Sequence, residues 1–439
     1  MPSRDLSGAR LVALALALFG LAAAPAAAAA DGATRGAVAH AGAGALSFPV
    51  GLAQFYAALQ QLERHQALRP LRILQIGDSH TAGDYFSGRL RERLQARFGA
   101  SGRGWLPSGI PFKSYRPELV SVTETGWRHL GPGDAGQQPM GTDVTIAQSD
   151  AAGAHMTLTS TEPAGFNRFA LEVLAQPNSG ALTVRIDQRA PIAVATEAPI
   201  LRLKRVEVDT PNGARTVEIS TRDRDAVALL GWAIERRRPG IIYENHGTIG
   251  ATINLIGKMN GSAVAFELAD RRPALIVVAF GTNEGFDDSL DLRGYGASFA
   301  DAVAGLRQRA PEASILIVGP PDGERLDKAC AAAASEIAGP PGCAAEGSAT
   351  CGWHPPPNLA AVRRIQKQIA GERGWAFWDW SQAMGGLCSM DRLVHLDPPL
   401  GAGDHVHMTR AGYAAAADRL FGDLMGEYER WKQSHLVRR

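Results

Sequence analysis

Short apolar segments that alternate with amphipathic helical patterns constrain the fold of this chain more than any other feature. The segment 274–280 is apolar without interruption, as is typical of a strand buried on both faces of a parallel sheet. The predicted strands are 71–76, 274–280, 314–318 and 375–378. The predicted helices are 48–68, 85–98, 296–309, 358–372 and 410–431. This alternation predicts an α/β fold in which helices flank a parallel sheet.

The middle of the chain follows a different pattern. Between 115 and 240, short alternating segments are separated by turn signals such as 177–180 and 211–213. This pattern predicts an all-β sandwich or jelly roll. Because the α/β pattern resumes only afterwards, we predict that 115–240 is inserted into an α/β domain split between 47–114 and 241–439. A separate sequential domain is the alternative.

The N-terminus is typical of an exported protein. A basic start, an apolar segment at 11–19 and an alanine-rich run ending at Ala30 predict a secretory signal peptide over 1–30. Residues 31–46 then form a flexible tether. A membrane anchor is the alternative, since the apolar run approaches the ~20 residues that span a bilayer, but Pro25 disfavours it. We expect the mature protein in the periplasm or cell envelope, with no membrane span.

Charge and cysteine content narrow the function classes. Lys and Arg total 45 against 44 Asp and Glu, so the chain lacks the basic excess of a nucleic-acid-binding protein. No two cysteines form a C-x-x-C pair, which disfavours zinc or thioredoxin-like chemistry. In an oxidising compartment we expect two disulfides, with three pairings open and free buried thiols as the alternative. The four cysteines are Cys330, Cys343, Cys351 and Cys388.

A serine follows the first predicted strand of the parallel sheet. The segment 77–80, Gly-Asp-Ser-His, stands between that strand and a helix. Ligands of open α/β sheets bind at the carboxyl ends of the strands, and helix N-termini favour developing negative charge. Ser79 is therefore a candidate nucleophile, with a role as a simple helix cap as the alternative.

Two later segments carry polar groups that could meet this serine. Asn283 follows the strand 274–280, although it could serve only the turn there. Asp404 lies three residues before His407, close enough to orient the imidazole within one turn. Metal binding by Asp404, His405 and His407 is a poorer interpretation, because residues at i and i+2 point apart in an extended segment.

Together these segments resemble the SGNH (GDSL-type) hydrolase superfamily. Within it they are similar to secreted peptidoglycan O-acetylesterases that carry an inserted carbohydrate-binding-like β-sandwich. The matching blocks are 77–84, 247–251, 281–284 and 404–407. His80 replaces the leucine common in the wider superfamily, and Glu284 replaces its usual aspartate, as in this branch.

The resemblance implies an SGNH-type, flavodoxin-like sheet and a role for each site residue. Ser79 would be the nucleophile, His407 the base and Asp404 its orienting carboxylate. The oxyanion hole would be formed by the backbone N–H groups of Ser79 and Gly250 and the amide of Asn283. We prefer Gly250 to Gly247, because the family's glycine precedes a small residue and then a helix. No metal or organic cofactor is implied.

Several residues keep alternative interpretations. His405 could replace His407 as the base, and Asp397 could replace Asp404. His80 is expected to support the nucleophile turn. The basic segment 236–238 is a solvated loop or a contact for an anionic glycan. Trp105, Trp127 and Trp232 could stack on sugars but are better explained as core residues, and Trp375, Trp378 and Trp380 as structural.

The resemblance also implies a substrate. We expect removal of O-acetyl groups from cell-wall glycan, in particular the 6-O-acetyl group of N-acetylmuramic acid in peptidoglycan. A polysaccharide O-acetyltransferase using the same site is the alternative enzyme, and a non-catalytic glycan-binding scaffold is the alternative from another class. A lipase is disfavoured, since no long apolar lid segment lies near the blocks. We expect a monomer.

Overall fold

Two kinds of sheet make up the fold seen in the computed structural model, which describes residues 44–134, 136, 138–326 and 352–436. The strands are β1 (Leu46–Ser47), β2 (Leu71–Gly77), β3 (Gly102–Pro107), β4 (Val120–Thr125), β5 (Arg128–Leu130), β6 (Ile146–Ser149), β7 (His155–Ser160), β8 (Phe166–Ala175), β9 (Ala181–Ile186), β10 (Ile192–Ala195), β11 (Arg202–Ala214), β12 (Thr216–Thr221), β13 (Val227–Glu235), β14 (Ile241–Gly247), β15 (Leu275–Ala279), β16 (Ser314–Val318) and β17 (Ala376–Trp378).

The helices of the described residues follow the strands of the parallel sheet. They are α1 (Ala53–Glu63), α2 (Ser79–Ala82), α3 (Tyr85–Phe98), α4 (Asn254–Lys258), α5 (Gly261–Arg271), α6 (Thr282–Gly285), α7 (Leu292–Arg309), α8 (Leu359–Arg373), α9 (Trp380–Met384), α10 (Ser389–Val394) and α11 (Arg410–Leu436). A 3-10 turn over Pro49–Leu52 precedes α1. In the part of the chain that the structure describes, no helix combines the length and apolar character needed to cross a membrane.

The parallel sheet has the strand order β1-β17-β16-β15-β2-β14, with only β1 antiparallel. Its central strands are buried on both faces. Leu275 and Val277 pack with α1, α3 and α11, whereas Ile276 and Val278 pack with α5, α7 and α8 on the other side. This confirms the predicted parallel sheet flanked by helices. The predicted helix 85–98 and strand 314–318 are observed with the same bounds.

All strands between β2 and β14 belong to two antiparallel sheets. One has the order β10-β9-β12-β7-β4, and the other the order β11-β8-β13-β6-β5, with β3 also paired to β13. Side chains from both sheets share one apolar core, which includes Leu158, Leu171, Val217 and Trp232. The two sheets therefore share one core, and their arrangement as an inserted β-sandwich stays a prediction.

Two predicted boundaries need correction. Strand β3 begins at Gly102, so antiparallel pairing starts before the predicted boundary at 115. Ala45 and Leu46 are buried and Leu46 starts β1, so the tether predicted over 31–46 ends before them. The signal peptide predicted over 1–30 lies outside the described residues. So do Cys330, Cys343 and Cys351, and their pairing with one another or with Cys388 remains a prediction.

Three loops leave the parallel sheet side by side, because β14, β2 and β15 are in register at their carboxyl ends. Gly77, the last residue of β2, pairs with Gly247 of β14 and with Ala279 of β15. A side chain at Gly77 would meet the carbonyl oxygen of Ala279 at 2.5 Å, and one at Gly247 would collide with the backbone of Ala82. Glycine at both positions therefore allows the nucleophile segment to lie close to its neighbours.

A buried carboxylate joins this segment to the antiparallel strands. Asp84 accepts hydrogen bonds from Arg91 at 2.7 Å, from Arg103 of β3 at 3.1 Å and from the backbone N–H of Glu118 at 2.9 Å. Burial alone would raise the pKa of Asp84, but the charges of Arg91 and Arg103 lower it to about 2. Asp84 therefore stays ionised and links helix α3 to β3 and to the segment before β4.

We predict that Asp84→Asn lowers the free energy of unfolding by about 3–5 kcal/mol, because Arg91 and Arg103 would stay buried beside a neutral amide. Urea denaturation measures this. The control is Asp418→Asn, which removes an exposed partner of Arg89 and should cost less than about 1 kcal/mol. The Asp84 contribution is present above the ordinary aspartate pKa of about 4 and is lost as the pH falls toward 2. Equal losses in both variants would contradict the proposed role of the buried Asp84 carboxylate.

Candidate functional site

Ser79 lies where the sequence predicts it, at the carboxyl end of β2 and the start of the short helix α2. Asp78 caps that helix by accepting the backbone N–H of His80 at 3.0 Å. This cap places Ser79 in a tight strand-to-helix turn. Its half-buried side chain lies beside the segments that follow β14 and β15.

His407 reaches Ser79 from the opposite end of the chain. Its Nε2 lies 2.9 Å from the Oγ of Ser79, across 328 positions in sequence. Its Nδ1 lies 2.7 Å from the Oδ2 of Asp404. The structure thus brings Ser79, His407 and Asp404 together in one continuous chain of hydrogen bonds, as the sequence predicts.

Asp404 holds His407 through more than one contact. Its Oδ1 accepts the backbone N–H groups of Val406 at 3.0 Å and of His407 at 2.9 Å. Burial opposes ionisation of Asp404, but these hydrogen bonds and the contact with the His407 ring lower its pKa below the ordinary value. An ionised Asp404 favours the tautomer with a proton on Nδ1, which leaves Nε2 free to accept a proton from Ser79.

The structure does not support the alternative site residues. His405 is 3% exposed, and its Nδ1 faces the carboxylates of Asp391 and Glu324. Asp404, rather than Asp397, contacts the His407 ring. Within the described ranges, no group of three or more His, Cys, Asp or Glu side chains is arranged to hold a metal ion.

The two further predicted oxyanion residues lie on the neighbouring segments. Gly250 is exposed, with a φ of +72°, and has open space where a side chain would point. Asn283, at the start of α6, donates its side-chain amide to the carbonyl of Ala251 at 2.8 Å. Glu284 accepts the backbone N–H of Ile253 at 2.7 Å. These two bonds fix the 250–253 segment against α6, while the oxyanion role of Gly250 and Asn283 remains a prediction.

A second layer of side chains supports the nucleophile turn. His80 is buried, and its Nδ1 lies 2.9 Å from the hydroxyl of Tyr413. Burial lowers the pKa of His80 to about 3, so this ring is neutral while it packs 5.2 Å from the His407 ring. Sequence reasoning missed Tyr413. Its position in the first turn of the helix after His407 was the available signal.

The tryptophans considered as glycan contacts are buried or packed in the core, and the basic segment makes ion pairs and a backbone hydrogen bond. Trp105 and Trp232 are at most 2% exposed, and Trp127 packs against the core of the antiparallel sheets. In the basic segment, Arg236 pairs with Glu162 and Arg237 with Asp209. Arg238 donates to the backbone carbonyl of residue 100. These side chains are therefore better explained by packing and ion pairing than by sugar binding.

Comparison with known proteins agrees with this geometry. A sequence model of the GDSL-like lipase/acylhydrolase family matches residues 212–415, which include Gly250, Asn283, Asp404 and His407 but not Ser79. No curated protein matches the chain significantly.

One solved structure matches nearly the whole chain. It is a peptidoglycan O-acetylesterase with 25% sequence identity and a TM-score of 0.71, and the match covers 88% of this chain and 100% of that one. A family two carbohydrate esterase from Cellvibrio japonicus has 14% identity and a TM-score of 0.27, with 71% of this chain and 99% of that one covered. One from Clostridium thermocellum has 12% identity and a TM-score of 0.29, with 70% and 100% covered. TM-scores this low support no argument about the fold.

The three blocks that the family model matches, the Ser79–His407–Asp404 geometry and the similarity over 88% of the chain point to one family. Over residues 212–415 the chain matches the GDSL-like lipase/acylhydrolase family, and its site geometry and fold are those of an SGNH-type hydrolase.

Proposed function

We propose that the protein removes O-acetyl groups from cell-wall glycan, with the 6-O-acetyl group of N-acetylmuramic acid in peptidoglycan as its substrate. The observation that carries this proposal is the hydrogen-bonded series Ser79–His407–Asp404. The substrate is supported by the similarity to a peptidoglycan O-acetylesterase. The export predicted from residues 1–30 would bring the enzyme to this substrate.

Acylation begins with proton transfer from Ser79 to His407. The serine oxygen attacks the acetyl carbon while Nε2 of His407 takes the hydroxyl proton. Asp404 stabilises the imidazolium that forms. The C–O bond to the sugar then breaks, His407 returns the proton to the sugar oxygen, and the acetyl group stays on Ser79.

The tetrahedral intermediate needs fixed donors for its negative oxygen. We assign the backbone N–H groups of Ser79 and Gly250 and the amide of Asn283 to this role. One amide hydrogen of Asn283 is used by the carbonyl of Ala251, and its second remains for the oxyanion.

Deacylation repeats the chemistry with water. His407 takes a proton from water, the hydroxide attacks the acetyl-serine, and acetate leaves as Ser79 recovers its proton. The side chains of His407 and Asp404 are 39% and 51% exposed, so water reaches the base readily. This exposure favours hydrolysis over the alternative O-acetyltransferase, in which a sugar hydroxyl would have to outcompete water.

We infer that the antiparallel strands form a module inserted between β2 and β14. The contacts of Asp84 help to join this module to the catalytic domain. A purely glycan-binding scaffold is disfavoured, because the catalytic side chains are complete and hydrogen-bonded. The tryptophans considered for sugar stacking are also buried or packed in the core of the strands.

We predict that the protein releases acetate from O-acetylated peptidoglycan faster than from acetylated xylan. Ser79→Ala should lower kcat/KM at least about 10⁴-fold, because it removes the hydroxyl that contacts His407. Acetate release with and without an added sugar acceptor measures both. Ser121→Ala, an exposed serine on β4, is the control and should keep full activity. Esterase activity retained in Ser79→Ala would contradict the proposed nucleophile. Acetyl transfer that depends on the added sugar would favour the transferase. If the wild-type protein hydrolyses no acetyl ester, the scaffold is favoured.

We predict that Asn283→Ala lowers kcat by about 10²–10³, because one oxyanion donor is lost while Ser79 and His407 remain. The matched control is Asn358→Ala. Its side-chain amide also donates to a backbone carbonyl, that of Asp287, at 2.7 Å. Steady-state kinetics on a p-nitrophenyl ester should separate the two variants. Equal kcat values in the two variants would contradict an oxyanion role for Asn283.

A further inference from the structure

A buried cluster of charged side chains lies behind the turn that carries Asp404 and His407. Asp322 and Glu324 follow β16, and Asp391 lies in α10. All three residues are at most 4% exposed. His405, the residue just after Asp404, points into this cluster rather than toward Ser79.

The ring of His405 faces two carboxylates. Its Nδ1 lies 3.5 Å from the Oδ1 of Asp391 and 3.6 Å from the Oε2 of Glu324. The ring also stacks on Trp353, with the centroids 3.6 Å apart and the planes 8° from parallel. Among the described residues, neither this nitrogen nor either carboxylate oxygen of Glu324 has a hydrogen-bond partner.

The carboxyl groups of this cluster need a polar partner. Burial and the neighbouring Glu324 raise the pKa of Asp322 to about 7, and Arg363 lies 3.8 Å from Asp322. Buried polar groups without hydrogen-bond partners are costly, so the carboxyl groups of Glu324 and Asp391 need a donor nearby. The ring nitrogen of His405 lies between them.

The backbone at His405 also indicates that its side chain is needed. Its φ is +55°, a left-handed conformation that favours glycine. The backbone is held in place there, because the carbonyl of His405 accepts the N–H of Glu324 at 2.9 Å and its N–H donates to the carbonyl of Ala402 at 3.0 Å. His65 has the same φ of +55° but is exposed, so it offers a matched comparison.

We propose that His405 is a positioning residue. Its ring, held between Asp391 and Glu324 and stacked on Trp353, fixes the turn that carries Asp404 and His407. This role rests on the proposed function, because the turn matters for activity only if Asp404 and His407 act on Ser79.

The first test compares His405→Gln and His405→Gly with His65→Gln and His65→Gly. Both His405 variants should lower kcat on p-nitrophenyl acetate by about 10- to 100-fold with KM within twofold, because a displaced base slows chemistry more than binding. The His65 variants should keep wild-type kcat. Glycine adopts this backbone conformation without strain. A loss of activity in the glycine variant therefore reports the missing side chain and not a disturbed backbone. Full activity in His405→Gly would overturn the proposal.

The second test addresses the contact between His405 and Glu324. Glu324→Gln alone should lower kcat, because the ring loses one of its partners. In the double variant Glu324→Gln with His405→Gln, the loss should be smaller than the product of the two single losses, since both members of the contact are removed together. Losses that multiply would contradict the link between the two residues. If His405→Gln does not fold, Glu324→Gln and His405→Gly still decide the question.

A third measurement needs no substrate. The proton between His407 and Asp404 should give a downfield ¹H NMR signal, which Asp404→Asn should remove. We expect the signal in the wild type and its loss or broadening in His405→Gly. If the signal is lost or broadened in His405→Gly but the wild-type protein hydrolyses no acetyl ester, the proposed function fails and the positioning role stands. An unchanged signal in His405→Gly would overturn the positioning role, whatever the activity.

Discussion

The in-register pairing of β2 with β14 on one side and β15 on the other is the constraint on which the site depends. It aligns Gly77, Gly247 and Ala279 at one edge, so the segments that follow start within contact distance. The first segment carries Ser79, and the other two carry Gly250 and Asn283. Only His407 and Asp404 come from elsewhere, and their turn must be held by contacts of its own. The position of Ser79 is thus set by the register of the sheet, and the position of His407 is set by side-chain packing.

Buried charge is the second feature that organises this molecule. Asp84 joins the nucleophile segment to the antiparallel strands through two arginines, and the carboxylates of Glu324 and Asp391 face His405 behind the catalytic turn. Such groups contribute little net stability compared with apolar packing, but they specify geometry when all partners are present. Each cluster lies beside a segment that carries a residue of the proposed reaction, the nucleophile in one case and the base in the other. The charges are therefore best understood as positional constraints.

Much of the parallel sheet and the grouping of Ser79, His407 and Asp404 could be predicted, because their signals are local. Apolar runs of strand length and the short motifs around Ser79 and His407 need no knowledge of distant residues. Strand β14 was missed because its polar residues Glu244, Asn245 and His246 hide the strand pattern. They are buried against partners from elsewhere: Arg72 beside Glu244, Arg103 beside Asn245, and Asp143 beside His246. The role of His405 was missed for the same reason, since its carboxylate partners lie on other elements of the fold.

Labelling with a p-nitrophenyl alkylphosphonate, followed by peptide mass spectrometry, tests directly whether one hydroxyl is activated by one imidazole. The geometry predicts a single adduct, on Ser79, and its near-complete loss in His407→Ala, because the proton on the serine would have no acceptor. An adduct on a different residue, or equally fast labelling of Ser79 without the imidazole, would contradict the mechanism.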